Sequence, residues 1–168
     1  MRALVAAVLL WVSSCSSPLT QLGSTHACEV RDGFVAVHEA GKDAIPMLID
    51  AIDDRSPAQS LVRDSSLEDA DSTTELGVLA AYSIELILAR PSLSTTPDSD
   101  CSSSLDRADY VYPRGTLEWK TGGTADLTEV QAVYRRWWDA SADKPLATLR
   151  AEWAGGEGPL AGSAFAWR

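Results

Sequence analysis

Leu76-Gly77-Val78-Leu79-Ala80-Ala81-Tyr82-Ser83-Ile84-Glu85-Leu86-Ile87-Leu88-Ala89 is the stretch that decides the fold. Leu76, Leu79, Ala80, Ser83, Ile84, Ile87 and Leu88 recur at the i, i+3, i+4, i+7 spacing of one helical face. Val78, Ala81, Tyr82 and Leu86 fill the opposite side. A helix apolar nearly all round is a buried helix, so the rest of the chain has to surround it. Ser72 with Glu75 fits a capping box at its start, and Arg90-Pro91 ends it. Glu85 is the only charge within this stretch. It either reaches an exposed edge, pairs with an arginine, or is buried with a raised pKa.

The neighbouring segments supply the surrounding helices. Apolar residues at 27, 30, 34 and 37 predict a first helix over 26–40, stopped by Gly41. In Gly41-Lys42-Asp43-Ala44-Ile45-Pro46-Met47-Leu48-Ile49-Asp50-Ala51-Ile52-Asp53-Asp54, Asp43 is a suitable N-cap. Pro46 then falls in the first turn, where its missing N–H costs nothing. This Gly-x-x-Ala-Ile-Pro-x-Leu-Ile pattern resembles the second helix of a HEAT-type repeat. The resemblance covers residues 26–54, one helical hairpin and no array, since a solenoid needs three or more units. Residues 55–75 are acidic and poor in large apolar side chains, an exposed connection. Residues 91–109 are rich in Ser, Thr, Asp and Pro, a loop that Cys101 would pin.

Tyr110-Val111-Tyr112 and Thr116-Leu117-Glu118-Trp119 read as a short hairpin about Pro113-Arg114-Gly115. Asp126 with Glu129 opens a further helix carrying Leu127, Val130, Tyr134, Trp137 and Trp138, and a last one carries Leu146, Leu149 and Trp153. The ending from Pro159, with Phe165 and Trp167, is too apolar for a loose tail and is expected to dock. The fold class is therefore mainly α: a compact domain over 26–168 of four to five helices, with the HEAT-like hairpin and at most one small β-hairpin. A chain of this size buries a real core unaided.

The N-terminus differs in kind. Arg2 precedes an uncharged apolar run from Ala3 to Val12. That run is too short to span a bilayer, which takes about 20 helical residues, so residues 1–14 read as a signal peptide. Val12-Ser13-Ser14-Cys15 resembles the lipobox of bacterial lipoproteins. The resemblance implies a diacylglyceryl group on Cys15, cleavage just before it, and an anchor facing the periplasm. Ser16, where that family's retention signal is Asp, implies the outer membrane. The alternative is an ordinary secretory signal with Cys15 incidental; both export the chain. Residues 15–25, rich in Ser, Thr, Gly and Pro, read as a flexible tether.

Cys28 and Cys101 then remain, and two cysteines in an oxidising compartment make a disulfide the default. Closing the loop from 28 to 101 is worth about 4 kcal/mol in the chain-entropy model. A metal reading of His26 with Cys28 lacks the further ligands a site requires. No metal and no cofactor are expected.

The chain has 168 residues and a formal net charge of −10. Such an acidic balance argues against nucleic acid, whose phosphates need clustered Lys and Arg. The charge is concentrated: residues 15–110 hold 17 acids against 6 bases, residues 111–168 hold 7 of each. Asp50, Asp53, Asp54, Asp64, Glu68, Asp69, Asp71 and Glu75 crowd together with only Arg55 and Arg63 opposing them. Three readings compete for this segment. It is a solvated loop, or a calcium site, although Asp69-x-Asp71 lacks the glycine and bidentate Glu of an EF-hand, or a surface for a basic protein partner.

Catalytic signatures are missing. There is no Gly-x-Ser-x-Gly elbow, Ser-x-x-Lys, His-Glu-x-x-His or phosphate-cradling loop, and His26 and His38 have no obvious companions. Paired carboxylates for glycoside hydrolysis stay possible on abundance alone, with Glu85 the acid to watch. Trp119, Trp137, Trp138, Trp153 and Trp167 cluster late in the chain. They either pack the core or, where exposed, stack on glycan rings.

In size, address and charge the chain is similar in type to immunity lipoproteins that neutralise effectors delivered into the periplasm. That similarity implies a non-enzymatic protein that occludes a partner through Asp53, Asp54, Asp64, Glu68, Asp69, Asp71 and Glu75. The alternatives are an envelope assembly or scaffold lipoprotein, and a peptidoglycan-active hydrolase.

Overall fold

The computed structural model describes residues 17–59, 73–93, 117–120, 123 and 125–167. Among these the elements run α1 (Pro18–Leu22), α2 (Ala27–Ala40), a 3-10 turn (Gly41–Ala44), α3 (Ile45–Asp50), β1 (Pro57–Gln59), β2 (Thr73–Glu75), α4 (Leu76–Ala89), β3 (Leu117–Trp119), α5 (Leu127–Asp139), α6 (Leu146–Ala154) and β4 (Phe165–Trp167). The protein is mainly helical, with two small antiparallel strand pairs.

Helix α4 is the centre, as its sequence demands. Ala80, Ala81, Ile84 and Ile87 are fully buried, and α1, α2, α3 and α6 pack around the helix. Phe34 and Val37 of α2, Leu48 and Ile52 from α3 and its exit, and Leu149 of α6 complete the core. Each such side chain contributes about 1.5–3 kcal/mol by leaving water. An aromatic line, Phe34 to Tyr82 at 5.9 Å and Tyr82 to Trp167 at 5.8 Å, carries the core to the C-terminal strand in edge contacts.

The start of α4 departs from the capping-box expectation. Ser72 lies outside the described residues, and Glu75 itself is the N-cap residue, with no side-chain cap. Thr73–Glu75 is claimed by pairing with Pro57–Gln59, and Ala58 is fully buried there. The first amides of α4 find carbonyls instead: Leu76 donates to Ser56 at 2.9 Å and Gly77 to Asp54 at 2.8 Å. With those two amides satisfied by backbone carbonyls, less is left for a side-chain cap to supply. The connection expected over 55–75 is thus anchored at both ends.

Asp43 is likewise no cap of α3. Gly41–Ala44 forms a 3-10 turn, Ala44 takes the N-cap position, and Pro46 does fall in the first turn. α3 packs mainly on α4 and α5, so the 26–54 segment is stabilised by its neighbours more than as a closed hairpin. Asp126 does cap α5, accepting the Thr128 amide hydrogen at 2.9 Å.

Leu117–Trp119 is a strand, but its partner is Phe165–Trp167, antiparallel, in the register Leu117 to Trp167. Tyr110–Tyr112, expected to pair with it, lie outside the described residues. The docked ending is therefore the second strand of this pair. With β1–β2 there are two strand pairs where at most one hairpin was expected.

The N-terminal tether also needs correction. Ser17 caps α1, accepting the Thr20 amide hydrogen at 3.2 Å, and Pro18 occupies the first turn. Leu22 is fully buried against the core. Gly33 of α2 permits the contact, because a Cβ there would meet the Leu22 nitrogen at 2.7 Å. A packed helix stands where flexible chain was expected, since Leu19 and Leu22 supply an apolar face that the Ser and Thr count conceals. Leu22→Ala is expected to lower stability by about 2 kcal/mol in chemical denaturation, at the low end for a buried leucine because α1 is short. An unchanged midpoint would mean that α1 does not belong to the folded unit.

Candidate functional site

The acidic segment is described at its two ends, and the fold brings those ends together. The carbonyls of Asp54 and Ser56 receive the first amides of α4, so Asp53 and Asp54 at the exit of α3 lie beside Glu75 at the end of β2. Asp64, Glu68, Asp69 and Asp71 lie outside the described residues.

Each described acid has a local partner. Asp54 accepts the Ser56 amide hydrogen at 2.8 Å, an Asx turn whose hydrogen bonds from Ser56 hold the carboxyl below its ordinary value. Asp53 accepts from the Gln131 side-chain amide at 3.0 Å. The same Gln131 nitrogen also reaches the carbonyls of Ile49 and Asp50, at 3.0 and 3.1 Å, and so staples α5 to the exit of α3. Asp50 pairs with Arg135 at 2.9 Å, and Arg55 stands between Glu75 and Asp126, 3.5 Å from each.

These are exposed pairs: the Asp50 side chain is 70% accessible and that of Arg55 54%. Pairs of this kind stabilise by about 1 kcal/mol at most, so they leave the acids free to exchange partners. Arg55 showed in the sequence as a base among the acids, without its partners, and Gln131 carried no signal for its role, because side-chain amides obey no spacing rule.

Glu85 lies elsewhere, inside the core, and is only 4% exposed. The Tyr134 hydroxyl donates to its Oε1 at 2.6 Å and the Trp153 indole N–H to its Oε2 at 2.6 Å. Burial pushes the carboxyl above its ordinary value; the Tyr134, Trp153 and Trp167 donors partly oppose that shift. Trp167 stands close enough to favour the charge but out of bonding geometry, and its Nε1 is the buried side-chain polar atom left without a partner among the described residues. Of the three fates open to Glu85 in the sequence, burial is the one realised. One carboxylate thereby ties α4 to α5 and α6. Its bonded neighbours are aromatic donors rather than a second acid, and the arrangement serves to hold elements together.

The remaining candidates are dispersed. The His38 ring nitrogen bonds the Arg90 carbonyl at 3.0 Å, and Arg150 also reaches that carbonyl and the carbonyl of Ile87, each at 3.0 Å, so these two side chains close the end of α4. His26 sits at the N-cap of α2, its amide bonded to Ser24. Trp137 and Trp138 are both half-buried with ring centroids 5.8 Å apart, and the Lys42 ammonium stands 5.9 Å over the Trp138 ring. The Trp119 side chain lies outside the described residues.

Cys28 is disulfide-bonded, while Cys15 and Cys101 both lie outside the described residues. Among the described residues no group of three or more His, Cys, Asp and Glu could hold a metal ion, and no helix is long and apolar enough to cross a membrane. No family model, curated protein or solved structure matches the chain.

Proposed function

We propose that this protein is an exported lipoprotein, anchored through Cys15 and facing the periplasm, that binds and occludes a protein partner with a basic surface. Most specifically, we read it as an immunity protein against a delivered antibacterial effector. One observation supports the reading: Asp53 and Asp54 at the exit of α3 meet Glu75 at the end of β2 on a buried core. An edge on which acids outnumber bases, held on a rigid support, raises the encounter rate with a basic partner and disfavours acidic ones. Occlusion asks for no reacting groups, only for complementary charge and a few desolvated anchors.

Two measurements bear on the address and the bridge. Cys15→Ser is expected to move the protein from the membrane to the soluble fraction; unchanged partitioning would refute the anchor. A Cys28–Cys101 bridge predicts no free thiol in the mature exported chain by non-reducing mass analysis, and a free Cys101 would refute it.

The partner is sought by capture on the immobilised mature domain from secreted proteins of competing cells, beside a variant carrying Lys at Asp53, Asp69, Asp71 and Glu75. Asp54 is left intact because it holds the turn at Ser56. The reading expects a basic protein retained by the native domain and lost by the variant. Equal retention by both would place the interface elsewhere.

A further inference from the structure

The lipid anchor and the packing of α1 constrain each other. Ser17 already belongs to the folded unit: its Oγ caps Thr20 and bonds the Thr20 hydroxyl at 2.8 Å. Only Ser16 separates it from Cys15. Two peptide units reach about 8 Å at most, whereas a flexible ten-residue tether would average roughly 17 Å and let the domain turn freely.

Resting on the lipoprotein reading above, we propose that the α1 side of the domain is apposed to the lipid surface, and that the acidic edge is presented there rather than out in the periplasm. The link between α1 and that edge is short. Gly23, which closes α1, lies against Leu76, whose Cδ2 is 3.4 Å from where a Gly23 Cβ would stand. Leu76 follows Glu75 directly and bonds the Ser56 carbonyl, next to Arg55 between Glu75 and Asp126. Helix α6 sits at the other end of α4, about 20 Å along the axis, where Arg150 grips the carbonyls of Ile87 and Arg90. The region beside α1 carries Glu29 and Asp32, so acyl insertion and the short connection hold it to the lipid without help from charge. The partner met by such an edge is a basic protein working at the membrane surface.

The test uses the full-length acylated protein in vesicles of phosphatidylethanolamine and phosphatidylglycerol with a headgroup nitroxide. A genetically encoded fluorophore is placed at Thr20, Ser56 or Thr148, all exposed. Quenching at Thr20 and at Ser56 is expected to exceed that at Thr148 at least twofold. A spacer of about twenty Gly and Ser residues between Ser16 and Ser17 is expected to erase the difference between Ser56 and Thr148. Equal quenching at Ser56 and Thr148 in the unspaced chain, with the protein still floating with the vesicles, would overturn apposition alone. A protein that fails to float would overturn the lipid anchor and apposition with it.

Discussion

Gly77→Ala is expected to cost about 4 kcal/mol or more, the largest effect of adding a methyl group at any of the described glycines. Gly77 is the second residue of α4, and its amide donates to the Asp54 carbonyl at 2.8 Å. A Cβ at this position would run into the carbonyl oxygen and carbon of Ile52, and would stand 3.0 Å from the Asp54 oxygen. The obstacles are backbone atoms, held by the buried Ile52 side chain and by the bonds that start α4, so no rotamer change relieves them. Alanine's better helix propensity returns about 1 kcal/mol, well short of the overpacking cost. Against a total stability of about 5–15 kcal/mol, that loss takes much of the margin. Urea denaturation checks it: a loss below about 1 kcal/mol would mean that α4 does not press on residues 52–54.

Tyr134→Phe is the second large effect, about 3 kcal/mol where Glu85 is charged, because it removes a 2.6 Å donor from a buried carboxylate. The cost depends on pH in a defined direction. Desolvation raises the folded-state value of Glu85 above the ordinary 4.5, so the native state holds this proton more tightly than the unfolded chain does. The stabilisation from that proton is fully present below the unfolded value and is lost as pH rises through the folded one. Tyr134→Phe removes a donor that favours the charged form and is expected to raise the folded value further. Its cost is therefore greatest above the folded value and shrinks on acidification.

Glu85→Gln is expected to abolish this pH dependence. Its amide can still accept from Trp153 and donate to the Tyr134 oxygen, which keeps the fold intact. Asp54 does not confuse the comparison: its value is lowered from 3.8, so its contribution is lost only as pH falls below the window of Glu85. Equal pH slopes for wild type and Glu85→Gln would show that the carboxyl is not buried as described.

The helices were legible in the sequence because apolar periodicity reports burial directly. α2, α4, α5 and α6 follow from Phe34 and Val37, Ile84 and Ile87, Leu127 and Val130, and Leu146 and Leu149. What the sequence concealed was settled by tertiary competition. At the start of α4 the amides of Leu76 and Gly77 go to the carbonyls of Ser56 and Asp54, with no side-chain cap at Glu75, and Leu117–Trp119 pairs with a strand far along the chain. α1 was hidden by a composition rich in Ser and Thr, although Leu19 and Leu22 carry its packing. At the candidate site, the acidic clustering was plain, but the convergence of Asp53 and Asp54 with Glu75 depends on a strand pair too short to show periodicity. Glu85 was conspicuous as a lone charge; its donors, Tyr134 and Trp153, sit far from it in sequence and looked like ordinary core residues.

Binding through the acidic edge is tested most directly by association kinetics with the captured partner as salt is varied. For the native domain the association rate constant should fall steeply with rising ionic strength, as it does when charge steers the encounter. With Lys at Asp53, Asp69, Asp71 and Glu75, association at low salt should slow at least about tenfold and lose that dependence. Identical rate constants and identical salt slopes for the two proteins would contradict the account.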